Sequence, residues 1–163
     1  AALAAAEKTG ARGLMTVLER AFRGFKFELP STTVRELTVT RATVRDPEGA
    51  LRHLLSRSHA VELSAVRADV EQFARRFQEK HGLTLRFQPG AIEEIAAACQ
   101  RAGLSAHTVC GDKFRDYEYG LQLIARNTGQ TSFVITRNAV REPDKTLSRW
   151  IARSGRKARQ EPA

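Results

Sequence analysis

The segment Leu37-Thr-Val-Thr-Arg-Ala-Thr-Val-Arg-Asp-Pro-Glu-Gly-Ala-Leu-Arg-His-Leu-Leu-Ser-Arg-Ser58 recurs, 96 residues later, as Phe133-Val-Ile-Thr-Arg-Asn-Ala-Val-Arg-Glu-Pro-Asp-Lys-Thr-Leu-Ser-Arg-Trp-Ile-Ala-Arg-Ser154. Eight of the 22 positions are identical without a gap, and most of the others keep their apolar or polar character. Such self-similarity at a fixed offset is the mark of a duplicated structural unit. In the first copy, Val34 to Thr40 alternates as a short strand, with Leu37 and Val39 on one face. Asp46-Pro47-Glu48 then supplies an N-cap, a proline at the first helical position and a first-turn acid. They open a short helix through Leu51, Leu54 and Leu55. Trp150 aligns with Leu54, which makes it a core or interface anchor rather than a ligand platform.

Working backwards, Leu14, Leu18, Ala21, Phe22, Phe25 and Leu29 fall at helical spacing, and Pro30 stops the helix. The same offset turns Leu14, Leu18, Ala21, Phe25 and Leu29 into Cys110, Phe114, Tyr117, Leu121 and Ala125, so the second copy is expected to keep the helix. In front of the first helix stands Lys8-Thr9-Gly10-Ala11-Arg12-Gly13-Leu14. Thr9 can cap the helix and Gly10 lets the backbone turn. Arg12 then lies where free amides and the helix dipole favour an anion, and its guanidinium can grip phosphate or carboxylate. In the second copy Thr9 to Leu14 becomes Ser105-Ala-His-Thr-Val-Cys110, so Thr108 replaces Arg12 and offers no charge to a triphosphate.

Lys-Thr-Gly-Ala-Arg-Gly-Leu, an amphipathic helix, Glu-Leu-Pro-Ser and a short strand together resemble the C-terminal small domain of AAA+ unfoldases of the ClpX and HslU type. The resemblance covers residues 1 to 58 closely. It implies an α+β fold made of two tandem small helix–strand–helix domains of the lid type. They would be a first copy over 1–58, a degenerate second copy over 61–154 and a flexible basic tail over 155–163. The first copy would lack its N-terminal strand and half a helix. The resemblance further implies that Arg12, flanked by Gly10, Ala11 and Gly13, is the sensor-2 residue that reaches the phosphates of ATP, with magnesium held through a large domain upstream. The implied parent is a ring-forming, ATP-driven protein unfoldase or remodeller, six-fold by family. Its partners would be its own large domain, neighbouring subunits, a protein substrate, and a peptidase or adaptor. The competing readings are a non-enzymatic interaction module of duplicated lid domains and, with less support, a basic nucleic-acid-binding domain.

Between the copies, a helix is expected from about Ser64 to Lys80, with Val66, Val70, Phe73 and Phe77 inward and Gly82 at its end. The polar stretch from Ser56 to Ala60 reads as a connection. Leu83 to Phe87 alternates as a strand, and Pro89-Gly90 leads into a helix closed by Gly103. Leu83 to Ala98 also resembles the strand and helix that precede the Gly-Ala-Arg motif in the unfoldase small domain.

The composition of the 163 residues, 42% hydrophobic and 28% charged, fits a globular protein. No apolar run approaches the roughly 20 residues of a membrane span. Ala1 to Ala6 is too short for a signal peptide, lacks a basic leader, and reads as the end of a longer helix. The net charge of +9 is mostly arginine spread along helices, which weighs against nucleic acid as the main partner. Cys99 and Cys110 form no CxxC pair, which points to a reducing cytoplasm and small buried thiols. The sequence holds no GxxxxGK[ST] motif and no apolar strand ending in paired acids, so these residues alone are not expected to hydrolyse ATP. His53, His59, His81 and His107 are dispersed without metal-ligand spacing. Glu93 and Glu94 complement a helix dipole rather than form an acid–base pair. Asp116, Tyr117, Glu118 and Tyr119 are candidates for a polar contact surface.

Overall fold

The computed structural model describes residues 10–160, with side chains from residue 13 to residue 156. The chain forms two compact units, Ala1–Glu62 and Leu63–Ala163. The first contains α1 (Gly10–Glu28), a 3-10 turn at Leu29–Ser31, α2 (Arg41–Arg45) and the first part of α3 (Pro47–His81). The second holds the rest of α3, then β1 (Thr84–Phe87), α4 (Pro89–Ala102), α5 (Ala106–Lys113), α6 (Tyr117–Thr128), β2 (Ser132–Ile135), α7 (Arg137–Arg141) and α8 (Pro143–Gln160). β1 and β2 pair in parallel, from Thr84 with Ser132 to Phe87 with Ile135. The helical crossover between them satisfies the usual demand of a parallel pair. A mostly helical chain with one small sheet belongs to the α+β class. Among the described residues no helix is long and apolar enough to cross a membrane.

The internal repeat is visible element by element. α2 and α7 have the same length and lie 96 residues apart, as do Pro47 and Pro143, which open α3 and α8. Thr40 and Thr136 cap α2 and α7 by accepting from the N–H of Thr43 and Ala139. The residues that end those helices, Asp46 and Glu142, share an unusual backbone, with φ −132°, ψ 77° and φ −130°, ψ 69°. Asp46 then caps α3, its Oδ1 accepting from Gly49 N–H at 2.9 Å. Gly24 faces Leu51, and Gly120 faces Leu147, again at the same offset.

The copies differ where tertiary context intervenes. In the first unit the strand expected over Val34 to Thr40 does not form, and the segment joins no sheet among the described residues. β2, its counterpart, is paired with β1, whereas among the described residues no strand lies beside 34–40. Val39 is accordingly 54% exposed where its counterpart Ile135 is fully buried, and Leu14 is 41% exposed where Cys110 is fully buried. The apolar stripe of α1 therefore turns inward only in part, with Phe25 as its buried residue against Phe22 at 5.3 Å.

Three further expectations need correction. Residues 56–60 do not interrupt the chain, since α3 is one helix from Pro47 to His81. The stretch is polar but contains neither Gly nor Pro, and Ser56 Oγ donates to the carbonyl of Arg52, so nothing ends the helix there. The second-copy helix is split at 114–116 into α5 and α6. Gly111 weakens that turn, and Lys113 Nζ donates across to the carbonyl of Val140 at 2.9 Å. The stripe survives the break, with Cys110, Phe114, Tyr117 and Leu121 all buried. The basic stretch expected as a loose tail continues α8 to Gln160.

The core of the second unit gathers Val70 and Phe77 of α3, Leu85, Ile95 of α4, the α5–α6 stripe, Phe133, Ile135, Val140 and Leu147. Gly82 and Gly103 end α3 and α4 in the left-handed conformation, with φ 69° and 65°.

Candidate functional site

Arg12 lies in the first turn of α1, which starts at Gly10 and carries no acidic residue in that turn. Gly10, Ala11 and Gly13 share that turn. Thr9, the expected cap, and the Arg12 side chain lie outside the described residues. The equivalent helix start in the second unit is described in full. Ser105 caps α5 by accepting from Thr108 N–H at 3.2 Å, and the Ser105 and Thr108 hydroxyls lie 2.9 Å apart. Thr108, standing where Arg12 stands in the first copy, is thus engaged within its own cap.

Glu93 and Glu94, at the start of α4, pair with arginines of α7. Arg137 bonds Glu93, and Arg141 Nε donates to Glu94 at 2.8 Å. Arg101 Nη2 adds a contact to Glu94 at 3.3 Å. The hydrogen bond from Arg141 is the main reason that the Glu94 carboxyl titrates below its ordinary range; partial desolvation opposes it, and the surrounding arginines add to the lowering. A carboxyl held low is a fixed anion and a poor general acid. The pair clamps α4 to α7, beyond the dipole role expected of it. Because the folded-state value lies below the unfolded one, this stabilisation is complete above the unfolded value of about 4.3 and is lost as pH falls through the folded one. Glu94→Gln is expected to lower the urea midpoint at pH 7 and to bring wild type and variant together near pH 3. An equal gap at both pH values would contradict it.

The remaining flagged residues separate by burial. Tyr117 is 1% exposed and belongs to the core, its hydroxyl donating to the carbonyl of Pro143 at 3.3 Å, while Tyr119 is 72% exposed. Glu118 lies 3.5 Å from His81 Nε2. Among the described residues no three His, Cys, Asp or Glu side chains converge on a metal-sized site. Cys99 and Cys110 are free thiols. Burial pushes the Cys110 thiol up to about 12 and raises that of Cys99 as well.

Trp150 is half-buried, its ring 6.1 Å from Phe133 and 6.0 Å from Tyr117. It anchors the core and also lines a groove of about 810 Å³ with Ser132, Val134, Arg153 and Arg156. Sequence reading does not find this groove, because it assigns the second arginine to a tail. The available signal is the spacing of three from Trp150 to Arg153 to Arg156, which keeps them close together on one helix. Comparison with protein-family models, curated proteins and solved structures finds no match to this chain.

Proposed function

We propose that the chain is the C-terminal part of a ClpX-like AAA+ ATPase, a cytoplasmic, ATP-driven protein unfoldase or remodeller that works as a ring. Its two units would be tandem lid-type domains. The observation that carries this reading is that Arg12 stands with Gly10, Ala11 and Gly13 in the first described turn of α1, which holds no acid. A guanidinium together with backbone N–H groups of a helix start would suit a phosphate. It offers nothing to magnesium, which would be held by a large domain together with the rest of ATP. ATP bound there supplies a γ-phosphate whose loss on hydrolysis removes an anion from the site. Arg12 would then lose its partner, and the preferred angle between large and small domains would shift. Protein substrate, neighbouring subunits, and a peptidase or adaptor complete the proposed set of partners.

The second unit fits a structural or partner-binding role, since Thr108 bonds within the Ser105 cap and brings no charge. In a parent protein carrying the ATPase domain, Arg12→Ala is expected to uncouple ATP turnover from substrate unfolding while leaving the fold intact. ATPase rate and unfolding of a tagged fluorescent substrate measure the two arms. Wild-type turnover together with wild-type unfolding would remove the sensor role and favour the interaction-module reading.

A further inference from the structure

Among the described residues β2 is paired on one side only. Thr84 N–H donates to the carbonyl of Thr131 at 2.8 Å, and Gln88 N–H to that of Ile135 at 3.0 Å. In a parallel ladder the carbonyls of alternate residues point the same way, so those of 131, 133 and 135 face β1. Ser132 and Val134 therefore turn their N–H and C=O groups to the opposite edge. The Ser132 carbonyl is met there by Gln130 Nε2 at 2.9 Å. Val134, 45% exposed, lines the groove at that edge. Phe133 and Trp150 supply apolar surface, and α8 supplies Arg153 and Arg156. Among the described residues no acid lines the groove, and neither arginine has a carboxylate partner.

We propose that this groove docks an extended acidic segment of a partner protein, which adds to the free edge of β2 as a third strand and turns its carboxylates to Arg153 and Arg156. A free strand edge is a template for backbone pairing, and alternate side chains of an added strand would reach the apolar floor and the basic wall. The strand edge favours a peptide over nucleic acid, because a phosphate backbone cannot continue the ladder. The inference stands on the second unit alone and does not depend on the role of Arg12.

Trp150 is the single tryptophan of the chain, so its emission reports the groove directly. The probe is a blocked peptide of alternating Asp and Val, about seven residues long, which spans the four-residue strand with a margin. Titrated into the full chain, it is expected to shift Trp150 emission saturably, whereas a Lys–Val peptide does not. The R153E/R156E variant should weaken binding by about tenfold or more. V134P removes an N–H that points away from β1, so it should retain the far-UV spectrum and lose peptide binding to a similar degree. The same peptide with alternate amides N-methylated tests the pairing without touching the protein, and it should fail to bind. The proposal is overturned if the N-methylated peptide binds as well as the parent peptide, or if no saturable shift is seen. An oligothymidylate that reproduces the shift and displaces the peptide would also overturn it, and would make the groove a nucleic-acid site.

Discussion

Tyr117→Ala is expected to remove about 3–5 kcal/mol from the stability of the second unit. Tyr117 is among the largest fully buried side chains, and two aromatic rings pack on it. Phe114 stands edge-on at 4.9 Å and Trp150 edge-on at 6.0 Å, while the hydroxyl reaches the start of α8 at Pro143. Truncation leaves a cavity between α6 and α8 that rigid helices cannot collapse into. Tyr117→Phe keeps the ring and loses one neutral hydrogen bond, so it should cost about 0.5–1.5 kcal/mol. Urea unfolding followed through Trp150 reads this unit specifically. A loss below about 1 kcal/mol for the alanine variant would show that the aromatic cluster is not the keystone of the core.

The second large effect comes from Gly120. A Cβ there would lie 2.7 Å, 2.8 Å and 2.9 Å from Cδ1, Cδ2 and Cγ of Leu147, which is itself only 7% exposed and cannot swing into solvent. Overpacking of this kind costs about 1–3 kcal/mol, and Gly120→Val should fall at the upper end because its branched side chain is also stiff in a helix. Gly120→Ala recovers about 1 kcal/mol from helix propensity, which offsets part of the clash. At the equivalent Gly24 the nearest atom is a single Leu51 methyl at 3.0 Å, on a half-buried side chain that can yield. There the propensity gain wins, and Gly24→Ala is expected to be neutral or mildly stabilising. A double-mutant cycle checks the cause. Leu147→Ala makes room for Val at position 120, so the two losses should add to less than their sum. Strict additivity would clear Leu147 as the obstacle.

What could be read from the sequence follows the range of the forces involved. Asp46 with Gly49 acts within one helical turn, so the start of α3 is legible from residue types alone, whereas the single-turn helices α2 and α7 with their threonine caps are too short to show a period. Gly82 and Gly103 end helices for a local steric reason and are equally readable. The strand at Val34 to Thr40 was not, because alternation states a preference while a partner strand decides the outcome. The break at 114–116 depends on Lys113 meeting a carbonyl 27 residues away. Polarity at 56–60 marked solvent rather than an end to α3. The same division runs through the sites. The position of Arg12 in a helix start is a local matter, whereas the groove needs β2 and α8 to meet, and no spacing rule contains that meeting.

Cys110, fully buried with its thiol near 12, carries a consequence for following the molecule in time. Near neutral pH it offers almost no thiolate, and the closed core offers a reagent no path to it. Alkylation there proceeds only through molecules that have opened, while Cys99, less deeply placed, reacts under milder opening. The lag between the two labels is a clock for the breathing of the second unit. It is set by the free energy of opening and readable by mass without any added probe.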